Sequence, residues 1–306
     1  MAEAVEPRLD GWLVIDKPAG LTSSNVVVGV KRALGVKVGH AGTLDPLATG
    51  VLPLALGEAT KTVRFASAGR KKYSFRVRWG IARDTEDREG EITGESLVRP
   101  GAEAIVNALP RFTGTIQQRP PAYSAIKLAG RRAYALARAG KAPELAARAV
   151  TIHDLRLLRV VDPDHAEFEA SVSEGTYIRA LARDLAETLG TLGHVDELRR
   201  LSVGQFTDRR AISLDLALSL GHSLAASEHL LPLETVLDDI PALALTAAEA
   251  ARLRHGQQVT PRDPDERARL SQLDDGTIVG ARCDCHVVAL ARIENGGLRP
   301  VRIINR

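Results

Sequence analysis

The chain carries 306 residues, 44% hydrophobic and 26% charged, with a net charge of +3, enough for one sizeable globular core and a small second domain. The acidic start "MAEAVEPRLDGW" lacks an apolar run, and no stretch approaches the roughly 20 apolar residues that cross a bilayer. Neither a secretory leader nor a membrane span is therefore expected, and a cytoplasmic setting is. Eight basic residues and no acid lie between Lys61 and Arg83, "DTEDREGE" reverses the sign at 84–91, and seven more basic residues run from Arg111 to Lys141. Such blocks read either as a surface for a polyanion or as solvated strand and helix faces.

In chain order, Trp12 to Ile15 predict a short strand, and Thr22 to Ser24 offer caps for a helix carrying Val26, Val27, Val30 and Leu34, which Gly35 would end. The run "VLPLALGEATKTV" predicts an extended segment passing into a helix. "YSFRVRWGI" alternates, with Tyr73, Phe75, Val77, Trp79 and Ile81 on one face and Arg76 and Arg78 on the other, as in a half-buried strand. From Pro120 to Lys141 a basic, glycine-interrupted stretch predicts a long excursion from the core. "EFEASVSEGTYIRALARDLAETLG" then predicts strand, turn and helix, with Tyr177 and Arg179 at the junction.

Prolines 232 and 241 bound a composition shift, which sets a domain boundary near 242. Beyond it "LTAAEAARLRHGQQV" reads as a helix, and short strands broken by "DDG" and "NGG" follow. Strands and helices alternate without regular βαβ spacing, so the expected class is α+β on a mixed sheet. Cys283, Cys285 and His286 in "RCDCH" are adjacent and lack a distant partner, so neither a disulfide framework nor a metal site is expected.

Residues 39–50, "GHAGTLDPLATG", concentrate the chemistry. Pro46 disfavours the helical region for the residue before it and so holds Asp45 extended, while glycines 39, 42 and 50 let another backbone approach. His40, Thr43 and Thr49 make the loop polar. An aspartate before proline also matches a helix N-cap, although only four residues separate Asp45 from Gly50 and the run from Val51 reads as extended. A reactive carboxylate and a cap are the two readings of Asp45.

"DKPAGLTS", "HAGTLDPLATGVLPLALGEATK", "KKYSFRV", "PPAYSAIKLAGRRAY" and "GTYIRALARDLAETLGTLGHVDELRR" together resemble the bacterial TruB family, the tRNA pseudouridine-55 synthases, from about Leu13 to Arg200. The tail resembles a PUA domain, a small RNA-binding barrel. The resemblance implies a catalytic domain over 1–241 with an RNA-clamping insertion at about 120–148, a PUA-like domain over 242–306, and isomerisation of uridine 55 in the tRNA T loop, with tRNA folding as a companion activity. It implies Asp45 as the catalytic acid residue, Arg179 as its counterion, and Tyr73 as the stacking ring and a relay for the C5 proton. Tyr177 would line the pocket and His40 fill the gap of the flipped base or touch RNA. Thr43 would meet substrate, and Lys17, Lys61, Lys71 and Lys72 phosphates.

The conversion breaks N1–C1′ and joins C5 to C1′ with no net loss of atoms, so no cofactor is expected. tRNA is the expected partner, with no obligate protein partner and a monomeric state. Two other classes compete. One is an RNA chaperone without chemistry, which Asp45→Asn would leave intact; the other is a glycosidic hydrolase, which needs a second carboxylate that is not evident near the motif.

Overall fold

The computed structural model describes residues 8–124, 126–128, 131–133, 137 and 145–305. Strand β1 (Gly11–Lys17) is buried along nearly its whole length. Helix α1 (Ser23–Leu34) starts where the Thr22 hydroxyl accepts the Asn25 amide and Asn25 returns the contact, a capping box, and stops at Gly35 with φ 66°. Val26, Val30 and Leu34 fill its inner face. Short β2 (Val38–His40) pairs with β3 (Thr49–Leu56), and β3 passes through a 3-10 turn into α2 (Val63–Ala68).

In β4 (Lys71–Trp79) every second residue is buried. The parity sends Phe75 and Trp79 against Phe168, at ring distances of 5.4 and 6.2 Å. A hairpin of β5 (Ile81–Arg83) and β6 (Ile92–Glu95) follows, then α3 (Ala102–Ala108) and β7 (Gly114–Gln118). The basic excursion contains a short hairpin, β8 (Lys127–Leu128) with β9 (Arg131–Arg132); much of the expected clamp lies outside the described residues. Long β10 (Arg148–Asp162) and β11 (His165–Val172) lead to α4 (Ile178–Thr188), where Ile178, Leu181 and Leu185 are buried as their spacing predicts. Next come β12 (Gly193–Val203), β13 (Phe206–Thr207), β14 (Ile212–Ser213) and two short helices, α5 (Leu214–Ser219) and α6 (Leu224–Glu228).

These strands form one ten-stranded sheet in the order β14-β1-β3-β12-β4-β11-β10-β7, with β2 and β13 attached. β12 runs parallel to β3 and β14 parallel to β1, among antiparallel neighbours, so the class is α+β on a mixed sheet. The β3–β12 register sets Arg200 opposite Gly50, which brings the loop before β3 to the middle of the sheet. The start of α4 arrives at the same place.

The tail has a four-stranded sheet of β15 (Ala242–Ala244), β16 (Ile278–Cys283), β17 (His286–Glu294) and β18 (Gly297–Ile303), with helices α7 (Ala247–Arg254) and α8 (Pro264–Ser271). Asn295 and Gly296, at φ 49° and 68°, form the hairpin turn that "NGG" predicts. α8, unlike the strands expected there, starts from Asp263 as cap with Pro264 next, a legible helix signal. The tail has its own core around Leu253, Val279 and Leu298, while Val287, Leu290 and Ile304 join Trp12 and Phe206 of the larger half. Among the described residues no helix is long and apolar enough to cross a membrane.

Candidate active site

Arg200 explains why the 39–50 loop is fixed. Its side chain is buried, and its guanidinium donates to the carbonyls of Val51 (2.8 Å), Gly42 (3.0 Å) and Thr43 (3.3 Å). Gly50 sits at φ 98°, and a Cβ there would collide with the Arg200 carbonyl; Gly42 takes φ 90°, a conformation that other residues rarely adopt, with the Arg200 and Lys71 side chains beside it. A second anchor is Ser23, whose hydroxyl accepts the Leu44 amide at 2.8 Å and lies 3.1 Å from the Leu44 carbonyl. Between these anchors the Asp45 carbonyl accepts the Ala48 amide in a single turn. No helix follows, and the Asp45 side chain reaches across the molecule instead of capping.

That side chain meets Arg179, the second residue of α4, with Nε to Oδ2 at 3.0 Å. Arg179 also donates to the carbonyls of Thr85 (2.7 Å) and Tyr123 (2.9 Å) and lies 3.5 Å from Asp87. Burial opposes its charge, but Asp45, Asp87 and Glu86 hold the guanidinium more firmly protonated than usual. Asp87 is itself buried and accepts from the Thr85 hydroxyl and the Glu89 amide. The acidic stretch 84–91 is thus a folded brace around Arg179. Sequence reading missed this second acid; the sign reversal at 84–91, directly after a basic strand, was the available signal.

Asp45 and Arg179 line a cavity of about 380 Å³ together with Lys71, Tyr73, Arg148 and Tyr177. Thr43 also lines it, through an otherwise exposed residue. Tyr73 shares the face of β4 that carries Lys71 and is 7% exposed, so the ring expected to stack on the base is a buried wall of the cavity. Tyr177 occupies the N-cap position of α4, where the Gln118 side chain bonds both its amide and its carbonyl. The Arg148 guanidinium lies 5.1 Å from the Tyr177 ring centre and donates to the Gly175 carbonyl.

Four lysines were expected at phosphates; the burial of Lys17 and Lys71 corrects that expectation for those two, and all four have partners within the protein. Lys17 is fully buried and donates to the carbonyls of Pro18, Leu21 and Pro46 (2.7–3.2 Å), which staples β1 to the residue after Asp45; burial pulls it down to about 8. Lys61 pairs with Glu58 (2.6 Å) and donates to the Ile303 carbonyl (2.7 Å), tying the tail to the larger half. Lys71 points inward to the cavity. Lys72 points to the opposite face of β4 and pairs with Glu169 at 3.0 Å. Strand parity accounts for the last two. His40 ends β2 outside the cavity wall, with Nδ1 buried and without a hydrogen-bond partner; burial and then Arg200 lower its pKa.

By fold, the chain matches a chain of an H/ACA ribonucleoprotein bound to a substrate RNA containing 2′-deoxyuridine, with TM-score 0.72 and 21% identity over 97% of this chain and 85% of that one. A chain of an archaeal box H/ACA Nop10–Cbf5 complex matches equally, with TM-score 0.72 and 22% identity over 97% and 87%. These likenesses concern the fold alone. In sequence the chain is 53% identical to the tRNA pseudouridine synthase B of Rhodospirillum rubrum, over 97% of both chains. It is 52% identical to that of Bradyrhizobium diazoefficiens, over 96% of this chain and 86% of the relative. Fold and sequence together define a pseudouridine synthase, an isomerase. More particularly, the chain belongs to the TruB family: residues 29–178 match the TruB family pseudouridylate synthase N-terminal domain, and 179–238 the tRNA pseudouridylate synthase B C-terminal domain.

Proposed function

We infer that the protein isomerises uridine 55 in the T loop of tRNA to pseudouridine, with Asp45 acting at C1′. The observation that carries the reading is the carboxylate of Asp45 held by a buried guanidinium at the wall of a cavity, in a chain about half identical over its length to synthases of this class. Turning the uridine out of its stack costs a few kcal/mol, and an aromatic wall returns about 1–3; Tyr73 and Tyr177 supply that wall. The Asp45 oxygen not bound to Arg179 serves as nucleophile or base near C1′, while Arg179 keeps the carboxylate aimed. Tyr73, in the cavity wall, is the residue assigned to relay the C5 proton; His40, which lies outside that wall, keeps only the role of touching RNA beside the site.

The glycosidic-hydrolase reading needs a second free carboxylate; Asp87 is committed to Arg179 and to its own loop, and Glu174, the other acid lining the cavity, faces Lys71. Arg64 and Arg70 are exposed and form no ion pair among the described residues, so they join the candidates for the phosphate role first given to the lysines. Residues 1–241 form the catalytic unit, with the 120–148 segment clamping the RNA stem, and residues 242–306 add a PUA-like RNA contact. The enzyme works in the cytoplasm as a monomer on tRNA, without cofactor or obligate protein partner, and also assists tRNA folding. The test is incubation with unmodified tRNA tritiated at uridine C5. Tritium release, unchanged RNA mass and a modified nucleotide mapped to position 55 are expected; a lost base or no release refutes the reading.

A further inference from the structure

Two buried cations at the cavity wall form no ion pair with a described residue, Glu174 being the one acid that faces Lys71 across the wall. Lys71 is 7% exposed and Arg200 1% exposed. They converge at Gly42, where a single added carbon would lie 3.5 Å from Arg200 Nη1 and 3.6 Å from Lys71 Cε. Arg200 spends its donors on three carbonyls. Lys71 gives two of its three N–H bonds to the carbonyls of Ser67 (2.6 Å) and Gly69 (3.1 Å), leaving one donor. Burying two like charges side by side is costly. Such an arrangement is stable in function when a negative charge arrives between them.

The isomerisation generates that charge. When N1–C1′ breaks, its electron pair stays on the ring, so the pyrimidine is an anion while C1′ is satisfied through Asp45. It remains so until C5 donates a pair to C1′; the C5 proton then leaves and N1 takes one up. We propose that Lys71 is a catalytic residue which, with Arg200 behind it, neutralises the detached pyrimidine anion inside the cavity. This rests on the synthase reading above. The ring, rather than an RNA phosphate, is the occupant because both cations sit in the wall shared with Asp45 and Tyr73, whereas the nucleotide's phosphates stay with the RNA chain. The groups facing Lys71 are Arg200 on β12, Glu174 in the turn before α4, the Ser67 carbonyl in the last turn of α2 and the Gly69 carbonyl just after it. Burial, opposed by Glu174, pulls its pKa down to about 8, so an arriving anion strengthens a charge that burial has weakened. This is stabilisation specific to the reacting state.

The test compares Lys71→Met and Lys71→Arg with wild type under single turnover, on tRNA carrying uridine or 5-fluorouridine at the target position. C–C rearranged nucleoside is measured by digestion and mass spectrometry. Fluorine stabilises the ring anion and so reduces the need for the wall; with no C5 proton to lose, the fluorinated ring stops once C5–C1′ has formed and takes up water at C6, so its rearranged nucleoside is read as the hydrate. K71M should slow the uridine reaction about 10²-fold, with unchanged tRNA affinity, a smaller loss on 5-fluorouridine, and substantial recovery in K71R. An unchanged rate, equal losses on both substrates, or a loss matched by weaker tRNA binding overturns the proposal, the last marking a phosphate contact. Should K71M fail to fold, wild type gives a second reading: its rate on uridine should fall as pH rises through about 8, and a rate that stays level across that range overturns it. Wild type inert on both substrates would instead refute the synthase reading.

Discussion

Replacing Arg179 should separate structure from chemistry. The guanidinium makes three hydrogen bonds, to Asp45 and to the carbonyls of Thr85 and Tyr123, and faces Asp87 at 3.5 Å. Arg179→Met removes the cation while Asp87, 6% exposed, stays buried and Asp45, 34% exposed, regains only partial solvation. Breaking a buried pair by deleting one partner costs about 3–5 kcal/mol. At about 2–4 °C per kcal/mol for a unit of this size, the melting temperature should drop by about 6–20 °C. Arg179→Lys keeps the charge but not the fork that aims Asp45. Losing one charge-assisted hydrogen bond, about 1.5–3 kcal/mol, should slow a single turnover about 10- to 150-fold with a much smaller melting shift. Differential scanning calorimetry and single-turnover tritium release measure the two effects. If R179M melts with wild type and R179K turns over at the wild-type rate, the ion pair neither braces the loop nor aims the carboxylate.

Other consequences follow from the same geometry. Gly50→Ala forces a side chain at φ 98° onto the Arg200 carbonyl, so strain of about 1–3 kcal/mol plus displacement of β12 should lower the denaturant midpoint and abolish activity together. His40 and His194 both have pKa values lowered chiefly by burial; the unfolded chain therefore binds more protons below about 6.5, and stability should fall as pH drops through that value. Urea midpoints at pH 7.5 and 5.5 check this, and His40→Gln should flatten the difference. In the salt dependence of tRNA binding, Arg64→Gln with Arg70→Gln should reduce the log–log slope by about 1–2. Lys61→Met, which cuts a tie to the tail, should leave the slope alone and increase proteolysis near residue 303.

What could be read from the sequence was whatever depended on local periodicity and caps. Thr22 and Gly35 bound α1 because one supplies an acceptor and the other a left-handed φ, and both properties belong to the residue itself. The alternation of 73–81 likewise located β4. β12 was missed because "HVDELRRLSV" has no clean alternation; it is a strand through its pairing with β4 and β3, and its charged residues are satisfied at a distance, as Arg199 is by Asp16 at 2.9 Å. The assignments of Lys17 and Lys71 erred for the same reason. Charge counts cannot tell that Lys71 shares parity with Tyr73, or that Lys17 is stapled to Pro46 across the sheet. The Asp45 loop stood out because its glycines and proline restrict backbone geometry directly, whereas its partner in the acidic brace, Asp87, becomes visible only once 84–91 folds back onto α4.

The central claim is that the Asp45 carboxylate acts at C1′ of a nucleotide held in the cavity, and that no other side chain of the site replaces it there. Asp45→Asn preserves the size of the side chain and the backbone turn, so the decisive measurement is single-turnover tritium release alongside tRNA affinity for this one variant. Affinity close to wild type with release slowed by about 10⁴-fold or more is the expected result. Release at a rate comparable to wild type would contradict the account.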